Sequence, residues 1–126
     1  MELVFDKNKP IYQQLIEHLQ HSIAKGDFLP GDKVPAVREL AVIYQVNPNT
    51  MQKALAKLEE LGYMYTERTS GRYITQDSAL IEKLKSALPH TVTEAYIQTM
   101  TGSGMTLEEI PAYVQKHIER MRTLEQ

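Results

Sequence analysis

The 126-residue sequence contains no cysteine and no long apolar run. Without cysteine, disulfides, thiolate zinc sites and cysteine nucleophiles are excluded. The apolar runs are only a few residues long, which excludes a membrane-spanning helix. Residues 1–7 lack the basic and apolar blocks of a signal peptide. We therefore expect a protein of the reducing cytoplasm that does not enter a membrane.

An excess of charge of one sign is also lacking, because fourteen Lys and Arg residues face sixteen Asp and Glu residues, a net charge of −2. Residues 1–75 carry nine basic and nine acidic side chains, and residues 76–126 carry five and seven. Proteins that bind nucleic acid usually show a basic footprint. If this chain binds nucleic acid, its positive charge must be gathered on one face.

The residues that are present, 42% apolar and 24% charged, are typical of a packed globular chain with one ordinary domain or two small ones. Hydrophobic spacing predicts a helix over residues 10–25 and a short second helix that follows Pro35 and ends near Gln45-Val46. Asn47 is a good N-cap for a third helix, which Gly62 ends. Two short helices joined by so few residues must meet at a sharp corner, which is typical of a helix-turn-helix.

After the third helix the pattern changes to that of a β-hairpin. Residues 63–68 and 72–75 are rich in β-prone side chains, and the turn between them has its tip at Ser70-Gly71. Three helices followed by a hairpin make a winged helix-turn-helix. The predicted fold class is therefore mainly α with a small β-hairpin, and the winged domain occupies residues 1–75.

Residues 76–126 are predicted to be a helical tail in two amphipathic stretches. Pro89 should kink or interrupt the first stretch, because proline removes a backbone hydrogen bond inside a helix. Thr91 and Glu94 fit a capping box that restarts the helix. Gly102-Ser103-Gly104 then separates the two stretches.

The second stretch begins with a capping box of Thr106 and Glu109, and Pro111 predicts an irregular first turn. Two such helices cannot bury both apolar faces well by themselves, so the tail needs the first domain or a second copy of the chain. We therefore predict dimerisation through the tail. The residues assigned to dimerisation are Leu80, Leu84, Leu88, Tyr96, Leu107, Ile110, Val114 and Ile118.

Several short sequence motifs in the first domain match those of a known family, at the spacings expected for that family. These are Pro10-Ile11-Tyr12-Gln13-Gln14-Leu15, Leu29-Pro30-Gly31-Asp32-Lys33-Val34-Pro35, Arg38-Glu39-Leu40-Ala41 and Val46-Asn47-Pro48-Asn49-Thr50. Residues 1–75 thus resemble the DNA-binding domain of the GntR family of bacterial transcription regulators. The short tail resembles the YtrA subfamily, which lacks the large effector domains of other branches.

The resemblance implies a sequence-specific regulator that binds double-stranded operator DNA of palindromic sequence as a homodimer. A repressor is expected, and the subfamily implies transporter or cell-envelope genes as targets. The resemblance also places Arg38 and the first turns of the third helix at the DNA, with the hairpin as the wing. The DNA-binding residues predicted in this way are Arg38, Asn49, Thr50, Gln52, Lys53, Lys57, Arg68, Ser70, Gly71 and Arg72.

Five of these residues supply the gathered basic face that the balanced charge demands: Arg38, Lys53, Lys57, Arg68 and Arg72. The sequence departs from the family at Ala36, where serine is common, and alanine cannot cap a helix with its side chain. It also departs early in the third helix, where other branches often carry arginine and this chain has Asn49 and Thr50.

Other interpretations of single residues are weaker. His18 and His21 lie one turn apart and suggest a shared metal ion, but such histidines are usually solvated or interfacial, so neither a metal nor a cofactor is expected. No phosphate-binding loop or catalytic triad pattern indicates an enzyme. The rival function is a winged-helix module that binds protein and not DNA, because fold does not fix function. A second set of side chains either fills the core, which is commoner, or lines a pocket for a small-molecule effector: Tyr96, Met100, Tyr113 and Met121.

Overall fold

The computed structural model describes residues 3–125 as five helices and one β-hairpin. In chain order the elements are α1 (Ile11–Lys25), α2 (Val37–Tyr44), α3 (Pro48–Glu60), β1 (Met64–Glu67), β2 (Gly71–Ile74), α4 (Ser78–Gly102) and α5 (Ile110–Leu124). They form two compact units, one that ends at Ser86 and one that begins at Ala87. Within residues 3–125, no helix is both long and apolar enough to cross a membrane. The predicted fold class, a winged helix-turn-helix followed by a helical region, is confirmed.

The core of the first unit lies where α3 packs against α1 and α2. Leu15 and Leu19 of α1 and Leu55 of α3 have no exposed surface. Each helix turns one apolar stripe inward, as its 3.6-residue spacing predicts. The polar face of α3 is therefore left on the outside.

The corner between α2 and α3 is made by residues 45–47. Gln45 ends α2 in the left-handed conformation, with φ +54°, and Asn47 begins α3. The Asn49 N–H donates to Asn47 Oδ1 at 2.8 Å, so the predicted N-cap is confirmed. Because the cap satisfies a free helix donor, it fixes where the polar start of α3 lies.

The hairpin pairs β1 with β2 in antiparallel register, from Met64 opposite Ile74 to Glu67 opposite Gly71. The turn is formed by residues 68–70, so the predicted tip at Ser70-Gly71 is displaced by one residue. Gly71 instead opens β2, with φ +118°. This backbone conformation is open to glycine and disfavoured for other residues, which explains a glycine at this position.

The helix α4 runs unbroken through Pro89, so the predicted interruption and the Thr91–Glu94 capping box are wrong. Proline fixes φ near the helical value, and the chain continues with the loss of one backbone hydrogen bond. Since Thr91 is helical, it is not an N-cap. The Glu94 carboxylate lies 3.8 Å from His90 Nε2, one turn away on the same helix.

The first turns of α4 belong to the first unit, which extends past the predicted limit at residue 75. Ile81 and Leu84 are buried there, with 7% and 5% of their surface exposed. Leu80 Cδ2 lies 3.4 Å from the position that a Cβ on Gly62 would occupy. Leu84 is therefore buried within the first unit and Leu80 is half-buried there, so they offer less apolar surface to a second copy than predicted, and their assignment to dimerisation stays a prediction.

The second unit consists of the rest of α4, the connection 103–109 and α5. In the connection, the Thr106 N–H donates to Glu109 Oε1 and the Glu109 N–H donates to Thr106 Oγ1, both at 3.2 Å, so the predicted capping box is confirmed. The hydrogen bond from the Thr106 backbone N–H lowers the pKa of Glu109, and the hydrogen bond from the Thr106 hydroxyl lowers it further. Residues 107–109 form a turn, and the regular helix begins only at Ile110, with Pro111 in its first turn. This agrees with the irregular start predicted from Pro111.

Candidate nucleic-acid interface

The first half of α3 presents a polar surface to solvent. Asn49, Gln52 and Lys53 are exposed, and Thr50 is half-buried. Met51 and its neighbours on the opposite face lie in the core, which holds the helix in place. Among residues 3–125, no acidic side chain forms an ion pair with Lys53. The start of α3 therefore offers amide, hydroxyl and ammonium groups together on one rigid element.

Arg38 lies in the first turn of α2 and is exposed. The pairing with Glu39 that would make it an ordinary surface charge is not found among the described residues. Ala36 occupies the N-cap position, and no side chain caps α2. As the sequence predicted, the first backbone N–H groups of α2 are left without a side-chain acceptor, which is an electrostatically favourable place for an anion.

The turn of the wing is supported by an aromatic pair. Tyr65 and Tyr73 lie opposite each other on the two strands and stack with their ring centroids 5.8 Å apart. The Tyr73 hydroxyl donates to Ser70 Oγ at 2.9 Å, which ties the turn to β2. Arg68 is exposed at the start of this turn. The wing thus carries one free guanidinium on a braced turn.

Arg72 does not lie free on the wing as the sequence analysis expected. Its side chain is 17% exposed, and its Nε lies 3.4 Å from Glu59 Oε2 on α3. Thr66 Oγ1, on the opposite strand, donates to Glu59 Oε1 at 2.7 Å. The guanidinium of Arg72 is therefore engaged in a contact within the domain, and its assignment to DNA is weakened.

Lys57 is the second predicted DNA-binding residue with an acidic neighbour. Its Nζ lies 3.6 Å from Glu60 Oε2 on the next turn, and its side chain is 38% exposed. Exposed ion pairs of this kind hold their partners weakly. Lys57 is consequently more available than Arg72 and less available than Lys53.

Lys33 is a basic residue at this surface that the sequence analysis missed. Residue 33 forms a β-bridge with Tyr73, and its Cε lies 3.4 Å from the position that a Cβ on Gly71 would occupy. The side chain therefore runs along the wing. The turn composition around Lys33 does not indicate that this residue lies beside the wing, because the bridge joins residues that are far apart in sequence.

A cavity of 370 Å³ lies between the wing and the start of α2. The wing and the first turn of α2 therefore face a common concave surface. Lys33 and Arg72 supply the basic side chains of its wall. The lining residues are Lys33, Val34, Pro35, Ala36, Val37, Thr66, Ser70, Gly71 and Arg72.

The two neighbouring histidines of α1 lie in different surroundings. His18 is half-buried, and its ring meets the edge of Tyr44 with centroids 5.4 Å apart. Burial lowers the pKa of His18, and the nearby His21 adds to the shift. His21 is exposed. Within residues 3–125, no group of three or more His, Cys, Asp or Glu side chains is placed to hold a metal ion.

The second unit carries an apolar groove of 680 Å³ between α4 and α5. Four residues assigned to dimerisation line it: Tyr96, Ile110, Val114 and Ile118. Leu88 and Leu107, which share the assignment, do not. The groove also contains Tyr113 and His117, whose ring centroids are 4.7 Å apart. The remaining lining residues are Val92, Thr93, Ile97, Met100 and Met121.

Known proteins share this sequence pattern. The family described as "Bacterial regulatory proteins, gntR family" matches residues 11–74. The HTH-type transcriptional regulator YhcF of Bacillus subtilis is 36% identical over 110 residues, which cover 87% of this chain and 91% of YhcF. The HTH-type transcriptional repressor YtrA of the same organism is 35% identical over 113 residues, which cover 85% of this chain and 83% of YtrA.

Solved structures share the fold. A GntR family transcriptional regulator from Listeria monocytogenes is 42% identical and superposes with a TM-score of 0.83, covering 89% of this chain and 98% of its own. The AraR DNA-binding domain in complex with operator ORE1 is 26% identical and superposes with a TM-score of 0.51, covering 60% of this chain and 93% of its own.

Proposed function

Since this chain belongs to the GntR family, in its YtrA branch, and is a DNA-binding transcriptional regulator, we propose that it acts as a homodimer on a palindromic operator. We further propose that it represses its target genes, as the name of its relative YtrA states for that protein. Its place of action is the cytoplasm, where operator DNA is found in bacteria. Regulation, and not catalysis, is the role that its relatives support.

The observation that carries the proposal is the exposed polar start of α3. The N-terminal part of a recognition helix enters the major groove, where base edges are read. The Gln52 amide has the donor and acceptor needed for a bidentate contact with adenine. Asn49 and Thr50 lie one turn closer to the helix start, where they supply further hydrogen bonds to bases or phosphates.

Four exposed cations that lack an acidic partner within residues 3–125 surround this helix start in the proposed complex: Lys33, Arg38, Lys53 and Arg68. Arg38 reads guanine or holds a phosphate, since guanidinium groups suit both. Lys33 and Arg68 belong to the wing side and contact the backbone. These residues reconcile a net charge of −2 with DNA binding, because within residues 3–125 none of the four forms an ion pair with an acidic side chain.

The cavity between the wing and α2 is suited to one phosphate of the duplex. The uncapped N–H groups of α2 supply directed donors, and Lys33 supplies a charge on the opposite wall. Both favour an anion. A contact of this kind fixes the register of the protein on DNA and carries no sequence information itself.

The dimer is proposed from the apolar surface of the second unit. Among residues 87–125, Ile110 is the only buried side chain, while Val92, Leu107 and Met121 are each more than 60% exposed. Two helices alone cannot bury such a surface. A second copy supplies the same surface by two-fold symmetry, which also matches a palindromic site.

The proposal is tested by selecting duplexes from a random pool with the full-length protein and measuring the affinity for the selected sequence. A palindrome should emerge, and deleting one half-site should weaken binding at least about a hundredfold, because each half-site carries several base contacts of about 1–3 kcal/mol each. The stoichiometry of the palindromic complex should be two chains to one duplex.

The salt dependence of that binding tests the electrostatic part. With these four cations at the proposed interface of each protomer, the logarithm of affinity should fall against the logarithm of salt concentration with a slope of about −4 to −7 for the dimer. A pool that yields no enriched sequence, with a slope no steeper than about −2, would indicate the protein-binding module instead.

A further inference from the structure

One carboxylate on α3 contacts both strands of the wing. Glu59 Oε1 accepts from Thr66 Oγ1 at 2.7 Å, and Glu59 Oε2 lies 3.4 Å from Arg72 Nε. Thr66 and Arg72 are opposite each other in the hairpin register. Glu59 therefore binds a single rung of the hairpin from the side of the recognition helix.

This contact is partly sheltered from water. The Arg72 side chain is 17% exposed and that of Glu59 is 33% exposed. The Arg72 Nε atom is buried and has no hydrogen-bond partner among the described residues, so the Glu59 carboxylate is what compensates its charge. Loss of one member of a sheltered pair leaves the other poorly compensated, and such a pair resists separation more than an exposed one.

The position of Glu59 in its helix is otherwise unfavourable. It lies in the last turn of α3, where the negative end of the helix dipole disfavours acidic side chains. The negative charge of its neighbour Glu60 is compensated by Lys57, one turn earlier on the same helix. The negative charge of Glu59 is instead compensated by Arg72 and Thr66 on the wing.

The base of the hairpin is held separately. The Ile74 N–H donates to Asp32 O at 2.8 Å, and the Val34 N–H donates to Arg72 O at 2.9 Å. These main-chain bonds end at the rung formed by Thr66 and Arg72. Beyond that rung lies the turn that carries Arg68, and within residues 3–125 the Glu59 carboxylate is the side-chain group of α3 that holds the rung from the helix side.

We propose that Glu59 is a positioning residue that fixes the wing relative to the recognition helix, so that α3 and the turn of the wing contact DNA at the same time. The inference rests on the proposed wing contact with DNA. Glu59 itself touches no base, since its carboxylate is taken up by the two strands. Its effect on DNA is to hold Arg68 at one distance from the bases read by α3.

Two models of Glu59 predict opposite results for Glu59→Gln. If Glu59 only neutralises Arg72, its removal frees a cation and strengthens wing contacts on any sequence. If Glu59 positions the wing, its removal lowers affinity for the selected duplex about tenfold, the scale of one charge-assisted hydrogen bond. Affinity for a scrambled duplex should in that case stay the same or rise.

The experiment uses the full-length protein, the duplex selected by the unchanged protein and a hydroxyl-radical footprint. In Glu59→Gln, the backbone positions flanking each half-site should lose protection while the central bases of the half-site stay protected. Thr66→Val removes only the hydrogen bond from β1 and suits a strand, so it should fold and show the same footprint change with a smaller loss of affinity. Glu60→Gln, which removes the same charge one residue away, should leave the flanking protection intact.

Stronger flanking protection and higher affinity in Glu59→Gln would overturn the inference and leave the proposed function standing. Equal loss of central and flanking protection in the variants, with their thermal unfolding unchanged, would also overturn it. Absence of any flanking protection by the unchanged protein would overturn both the inference and the proposed wing contact.

Discussion

Lys33 lies along Gly71, with its Cε 3.4 Å from where a Cβ would stand. The glycine at the start of β2 therefore packs beside a basic side chain that runs along the wing. It adopts a φ of +118°, which is the reason a glycine stands at this position.

Gly71→Ala should lower the free energy of unfolding by about 1–3 kcal/mol, because a residue with a side chain is strained in this region. It should also weaken binding to the selected duplex, since relief of that strain shifts the start of β2 and with it the turn of the wing. Urea unfolding and titration of the duplex measure the two effects. Gly102→Ala is the control, because Gly102 is helical and nothing lies within 4 Å of the added Cβ. A Gly71→Ala protein as stable as its parent contradicts the strain.

Arg38→Ala should weaken binding to the selected duplex by about 1–3 kcal/mol per half-site if the guanidinium reads a base. Stability should change by no more than about 0.5 kcal/mol, because Arg38 is exposed and has no ion pair within residues 3–125. A repeated selection with the variant should relax the preference at one position of each half-site. Lys83→Ala, an exposed cation of α4, serves as the control for lost charge, and equal effects of the two variants would show that Arg38 is only a solvated charge.

Ile118→Glu should convert the proposed dimer to a monomer, because it places a charge in the apolar groove between α4 and α5. Analytical ultracentrifugation of the full-length chain measures the change. Lys116→Glu, which also introduces an acid on α5 but outside the groove, is the matched control and should stay dimeric. If the Ile118→Glu protein sediments as a dimer, the tail is not the interface.

The stability of the first unit should decrease in mildly acidic solution because of His18. Burial holds the pKa of His18 below its ordinary value of 6.5. The unfolded chain therefore binds a proton that the folded protein resists. The contribution of His18 is fully present above pH 6.5 and is lost as the pH falls from there through the lower pKa of the folded state.

This dependence can be measured by thermal unfolding between about pH 7.5 and pH 5. His18→Phe keeps an aromatic ring against Tyr44 and should show a smaller loss of stability over that range than the parent protein. His90→Gln, in the exposed part of α4, is the control for removal of a histidine elsewhere. A loss as large in His18→Phe as in the parent would assign the acid sensitivity to another group.

The elements of the first unit were predictable because their signals are local. The apolar stripes of α1 and α3, the Asn47 cap and the β-prone residues around the wing turn each act within a few residues. At Pro89, by contrast, α4 continues past two local signals for a break. Local patterns indicate which secondary structure a segment favours. They carry no information about the tertiary contacts that stabilise it.

The contacts of the candidate interface were less predictable than its elements. The sequence identifies the exposed residues of α3, because they follow from the position of the apolar stripe. It does not reveal that Arg72 faces Glu59, or that Lys33 runs beside Gly71, because these pairs are far apart in the chain. Counting the basic residues in the sequence therefore overestimates the number of cationic side chains that are available to contact DNA.

The pairing of two cations with acids on α3 has a kinetic consequence. A regulator must leave wrong sequences quickly, because a genome offers about a million or more competing sites. Each phosphate neutralised releases counterions and lengthens the stay on any duplex, whatever its sequence. With Arg72 held by Glu59 and Lys57 shared with Glu60, arbitrary DNA gains fewer such contacts. We therefore expect a shorter search, with the time spent bound concentrated at the sites that α3 is proposed to read.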